Sequence, residues 1–205
     1  MLIFDLPAYD HHTTIQLRAL QQNIAKSDET AFTQLYLQFN KRLQQFATSL
    51  VRSKEVSEEL VEDVFVKIWA NRQSIIEIDN LTVYLYVAVK NKALNSLSQK
   101  AKELIAAPFD YLDLPVDEFA ADPYELMITN EMMARLQKVI ENLPPRCKMI
   151  FKLIREDGLK YKEVAEILNI SVNTIDAQIA IAVKKLCTAL QVDKPRKPQN
   201  ISYNR

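Results

Sequence analysis

Residues 156–186 read EDGLKYKEVAEILNISVNTIDAQIAIAVKKL and hold the single glycine of the chain, Gly158. Val164, Ala165 and Leu168 recur at helical spacing, and so do Ile175, Ile179, Ala182 and Leu186. Between the two sets stand Asn169, which tolerates a left-handed backbone, and Ser171, a favoured helix N-cap. Gly158 falls where the C′ residue of the preceding helix needs the left-handed conformation. The pattern predicts two amphipathic helices joined by a tight turn, with small Ala165 allowing their close approach.

This is the pattern of a helix-turn-helix. In such motifs the N-terminal part of the second helix meets base edges, which places Val172, Asn173, Thr174, Asp176, Ala177 and Gln178 near a groove. A glutamine such as Gln178 can pair with adenine, and Asn173 and Thr174 can bind phosphate or bases. Lys184 and Lys185, two turns later, would add sequence-independent attraction to the backbone. Residues 143–190 carry eight bases against five acids, a mild bias toward nucleic acid. Two amphipathic helices simply packed in a bundle would show the same periodicity.

Working outward, 205 residues allow one large domain or two small ones. Charged residues make up 25% and balance to zero net charge, so any basic surface must be local. Hydrophobic content of 48% excludes a wholly disordered chain. One glycine leaves few of the positive-φ turns that hairpins need, and the fold class expected is all-α. A first helical block runs from about residue 15 to 103. Within it Phe32, Leu35, Tyr36, Phe39, Leu43, Phe46 and Leu50 form one apolar stripe. Leu60, Val61, Val64, Phe65, Ile68 and Trp69 form a second, with Ser57 as the expected N-cap. After a break at IIEIDN, a third helix is expected to turn Leu81, Tyr84, Leu85, Ala88 and Val89 inward. Of Tyr84 and Tyr86, at least one is expected in the core.

Residues 105–125 hold six acids, no bases and three prolines, and read as an acidic, extended linker. A second block, 126–190, contains Pro144-Pro145 at the start of a helix, where a missing N–H costs nothing. Residues 1–14 form an N-terminal extension, and 191–205 a tail expected to be disordered.

The segments DETAFTQLYLQFNKRLQQFA, SEELVEDVFVKIWANR and NLTVYLYVAVKNKALNSL together resemble region two of extracytoplasmic-function (ECF) sigma factors. LPPRCKMIFKLIREDGLKYKEVAEILNISVNTIDAQIAIAVKKL resembles their region four. Both come in the family's order, over roughly 160 residues. The resemblance implies two small helical domains, 15–104 and 126–190, in a subunit that binds core RNA polymerase and recognises promoter −10 and −35 elements. It places Glu59, Glu62 and Asp63 on the helix that docks on the β′ clamp helices, although the family usually has glutamine where Glu62 stands. Asn80, Tyr84, Lys90, Asn91 and Lys92 match the −10 segment, where the family commonly has arginine at the Lys90 position. Ser171, Asn173, Thr174, Ala177, Gln178, Lys184 and Lys185 would then serve the −35 element. The implied partners are core RNA polymerase (β′ clamp helices and β flap), promoter DNA and a membrane-anchored anti-sigma factor. The linker would enter the cation-lined polymerase channel, or act only as a solubilising spacer. A LuxR-type regulator with a helical sensor domain shares the region-four pattern and is the alternative.

No cofactor or metal is expected. His11-His12 lacks further ligands and is read as solvent-exposed, and the sequence holds no nucleophile triad or glycine-rich phosphate loop. A non-enzymatic protein is the expectation. The cysteines Cys147 and Cys187 have no paired spacing, the N-terminus does not read as a signal peptide, and no window is apolar enough to span a membrane. A cytoplasmic protein fits these features.

Overall fold

The computed structural model describes residues 11–100 and 131–190, and among them every regular element is helical. A first group comprises α1 (His11–Ala25), α2 (Glu29–Val51), α3 (Lys54–Ala70), a 3-10 turn (Arg72–Glu77) and α4 (Leu81–Lys100). A second comprises α5 (Glu131–Glu141), α6 (Pro145–Arg155), α7 (Tyr161–Leu168) and α8 (Val172–Leu190). The acidic 105–125 stretch, residues 1–10 and the 191–205 tail lie outside the described residues.

The apolar stripe of α2 forms the first core. Leu35, Phe39 and Leu43 are wholly buried and Phe46 nearly so, while Phe32, Tyr36 and Leu50 are half-buried at its edges. Each fully buried side chain of this size contributes about 1.5–3 kcal/mol. Aromatic edges join α2 to α3: Phe32 meets Phe65 and Trp69, and Tyr36 meets Phe65. Asp28 starts α2 by accepting from the Thr30 and Ala31 amides at 2.8 and 3.0 Å. α1 is fastened to the 3-10 turn by Gln21, whose amide donates to the carbonyls of Ile75 and Ile78 at 2.7 and 2.8 Å.

Two details depart from the sequence reading. The N-cap of α3 is Ser53, one turn before Ser57, and its hydroxyl accepts from the Val56 amide at 3.2 Å. Ser57 is buried inside the helix, its hydroxyl bonded to the Lys54 carbonyl and shared with Thr48. Both serines are good caps, and the shorter link from α2 wins because Arg52 takes a left-handed turn, φ 56°, immediately before Ser53. On α4 the inward aromatic is Tyr86, wholly buried, whereas Tyr84 is 38% exposed. The expected Leu81, Leu85 and Val89 do turn inward, joined by Thr82, Val83, Tyr86, Lys90 and Ala93, while Ala88 is half-buried. Because α4 is apolar on most of its circumference, composition left its rotation open.

In the second group Pro145 does open α6, and the Lys148 amide donates to the Pro144 carbonyl at 2.8 Å. Gly158 has φ 72°, two residues past the α6 cap Glu156. With one glycine in the chain, Ser27, Arg52 and Asn169 supply the other positive-φ positions among the described residues. The buried apolar residues of both groups form one continuous cluster.

Candidate nucleic-acid interface

Asn169 ends α7 in the left-handed conformation, φ 54° and ψ 49°. Ser171 then caps α8, its hydroxyl accepting from the Thr174 amide at 3.1 Å. Val164, Leu168, Ile175 and Ala182 are buried between the helices, with Ile179 and Leu186 nearly so. The motif expected from the sequence is therefore formed by the residues expected to form it.

On α8 the residues Asn173, Asp176, Ala177, Ala180, Ile181 and Lys184 are exposed. Their steps of three and four residues put them on one face. Lys185 is exposed beside it. Thr174 and Gln178 are half-buried at its border. Thr174 shares its hydroxyl with Ser171 at 2.9 Å, so both side chains serve the cap as well as facing outward. The Gln178 carbonyl accepts from the Cys147 thiol at 3.2 Å, which ties α8 to α6. Burial pushes that thiol's pKa up, keeping it protonated as a donor.

The α4 residues separate. Asn80, Tyr84 and Asn91 lie within a narrow sector of the helix and are exposed. Asn80 is the N-cap, its side-chain oxygen accepting from the Val83 amide at 3.1 Å. Lys92 is half-buried and paired with Asp63 of α3. Lys90 is only 9% exposed, and burial pushes its ammonium pKa down. Lys90 thus sits in the α4 core side, away from the sector holding Asn80, Tyr84 and Asn91.

On α3, Glu59, Glu62 and Asp63 are exposed on one face. Val66 joins them with 67% exposure, and Leu37 on the neighbouring α2 is 72% exposed. Sequence reading passed over both. Their signal was available: each is a large apolar residue falling between stripe positions.

Comparison with known proteins agrees with this arrangement. The family model for sigma-70 region 2 matches residues 35–103, and that for sigma-70 region 4 matches residues 133–186. Together they span more than half of the chain in the order that the two helical groups follow. The chain belongs to the sigma-70 family, as an ECF sigma factor. It is 24% identical over 168 residues to the ECF RNA polymerase sigma-E factor of Escherichia coli strain K12, covering 79% of this chain and 87% of the relative. It is 23% identical over 168 residues to the Haemophilus influenzae sigma-E factor, covering 79% and 88%. Among solved structures, the fold is similar to the sigma factor RpoE of Bartonella quintana, crystallised with the anti-sigma factor NepR. That match has a TM-score of 0.55 and 24% identity, covering 79% of this chain and 98% of the other. Sigma factors are non-enzymatic transcription regulators. Among the described residues no helix is long and apolar enough to cross a membrane, and no cluster of metal-ligating side chains occurs.

Proposed function

We propose that this ECF sigma factor binds core RNA polymerase and directs it to promoters through both helical groups. The observation that carries the reading is the α8 face. A capped helix presents Asn173, Ala177 and Lys184 outward from a rigid helix-turn-helix, with Thr174 and Gln178 at its border. On this reading Asn173, Thr174 and Gln178 sample the −35 element, and Lys184 and Lys185 hold its phosphates.

The −10 element is assigned to the exposed sector of α4. Tyr84 offers a ring on which an unpaired base can stack, with Asn80 and Asn91 beside it for hydrogen bonds. Lys92 reaches the phosphate backbone from the flank of that sector. Lys90, buried on the core side of α4, is assigned a supporting role through the packing of that helix. The polymerase β′ clamp helices are assigned to Glu59, Glu62 and Asp63, with exposed Val66 adding apolar contact. The second group would meet the β flap.

Net charge is zero, and the α8 face carries few cations. Weak DNA binding by the chain alone is the physical consequence, with polymerase supplying the remaining affinity. A membrane-anchored anti-sigma factor is the proposed inhibitor, in keeping with the anti-sigma complex of the Bartonella relative. Reconstitution with core polymerase tests the function. Initiation at selected promoter fragments is expected, and failure to co-purify with core polymerase at any salt concentration would overturn the reading.

A further inference from the structure

Segment 72–79 joins α3 to α4 and leads into Asn80, the N-cap of α4 and a residue assigned to the −10 element. The last carbonyls of a helical turn find few partners within it. Two side chains of α1 supply them here. The Gln21 side-chain NH2 donates to the Ile75 carbonyl at 2.7 Å and to the Ile78 carbonyl at 2.8 Å. Arg18 Nη1 donates to the Ile76 carbonyl at 3.0 Å and to the Ile78 carbonyl at 3.1 Å. The other end of the turn is held from the link between α1 and α2, where Arg72 Nε donates to the Ser27 hydroxyl at 2.8 Å.

Gln21 stands where packing alone would favour an aliphatic residue. Leu17 and Ile24, one turn to either side, are core residues, and Gln21 itself is 2% exposed. Burying its amide costs desolvation unless both N–H groups are bonded, and both are spent on the 75 and 78 carbonyls. Arg18 also lies 3.6 Å from the Asp79 carboxylate, but that side chain is fully exposed and the pair adds little. All of α1 precedes residue 35, where the region 2 match begins.

We propose that Arg18 and Gln21 are positioning residues for −10 recognition. By fixing the carbonyls of Ile75, Ile76 and Ile78 they set the path by which the chain enters Asn80, and so the placement of Asn80 and Tyr84 against an unpaired base. The inference rests on the assignment of α4 to the −10 element. Neither side chain needs to touch DNA. Without them segment 76–79 relaxes while Leu17 and Ile24 keep α1 packed, so base discrimination weakens in an intact fold.

The test compares holoenzyme initiation at a parent promoter with versions altered at one −10 base or one −35 base. Gln21→Met keeps the volume and removes both donors. The Ile75 and Ile78 carbonyls each retain a partner, the Ile78 amide and Arg18 respectively. Arg18→Gln alters a half-exposed side chain outside the core, and decides the matter if Gln21→Met folds poorly. Each variant is expected to narrow the −10 preference by about two- to twelvefold, the effect of a lost hydrogen bond, and to leave the −35 preference unchanged. Arg18→Lys keeps a donor without the planar fork and should recover part of the loss. A merely structural role would lower thermal stability and scale initiation at every promoter equally. The proposal is overturned if both variants keep the parent −10 preference while Asn80→Ser, which retains a capping hydroxyl, changes it. It is equally overturned if the −35 preference narrows as much as the −10 preference. If Asn80→Ser leaves the −10 preference intact, the assignment of α4 falls and the positioning role falls with it. A chain that initiates at no promoter with core polymerase overturns the sigma-factor reading itself.

Discussion

The Lys92 ammonium of α4 lies against the Asp63 carboxylate of α3, joining the segment proposed to meet the −10 element to the face proposed to meet polymerase. The pair is solvent-screened, with side-chain exposures of 33% and 55%. Its worth to the fold is accordingly small, within about 1 kcal/mol. In a double-mutant cycle of Asp63→Asn and Lys92→Gln, urea melts should give a coupling inside that range. A coupling above about 2 kcal/mol would mark the pair as structural. Asp63→Asn should nevertheless weaken core polymerase binding, because the proposed contact is lost whatever happens to stability.

Leu43 is wholly buried on α2, inside the aromatic and aliphatic core of the first group. Leu43→Ala should lower stability by about 2–5 kcal/mol, from lost burial and the cavity left behind. The single tryptophan, Trp69, packs against Phe32 in the same group, so its fluorescence reports this unfolding locally. Leu37 lies on the same helix outside the buried stripe and is 72% exposed, so it should tolerate alanine within about 0.5 kcal/mol.

The helix-turn-helix was legible because its parts constrain one another. Asn169 fixes a left-handed turn, Ser171 fixes the start of α8, and the two apolar stripes fix the facing sides. α3 was legible in its stripe but not in its start, since Ser53 and Ser57 are both capping residues and only the left-handed Arg52 decides between them. α4 was legible as a helix but not in its rotation. Its apolar residues occupy most of the circumference, so only packing against α2 and the second group settles that Tyr86 turns in and Tyr84 out. The seam between the groups was not legible. Asn80–Glu163 and Tyr86–Asp157 join residues more than seventy positions apart, and no local pattern marks such a pair.

Burial pushes the Asp157 carboxyl pKa up, against the opposing pull of the Tyr86 hydrogen bond and the Arg42 charge. Glu156 adds to the rise and Lys152 opposes it. The native state therefore holds this proton more tightly than the unfolded chain does. The corresponding stability is fully present below the unfolded carboxylate pKa and is lost as pH rises through the raised folded value. Asp157→Asn mimics the protonated form. Relative to wild type it should gain stability as pH climbs from about 4 toward 7, the carboxylate range and above. Paired urea melts across that range test this, and a variant that loses ground as pH rises would show that the ionised carboxylate is the favoured form.

Base reading and phosphate holding on α8 separate by their salt dependence. Asn173 and Gln178 would contact base edges, so replacing either with alanine should cost about 1–3 kcal/mol at the cognate −35 element. The same change should cost little at a fragment with that base pair altered. Lys184 and Lys185 are exposed and are the residues proposed to hold phosphates. Lys184→Gln or Lys185→Gln should weaken binding to cognate and altered fragments alike, and should flatten the log-affinity against log-salt slope by about one per lysine. The measurement is holoenzyme binding to paired promoter fragments across a salt series, since the free chain is expected to bind too weakly. If the lysine variants alter base preference while the Asn173 and Gln178 variants alter only the slope, the proposed orientation of α8 in the groove is reversed.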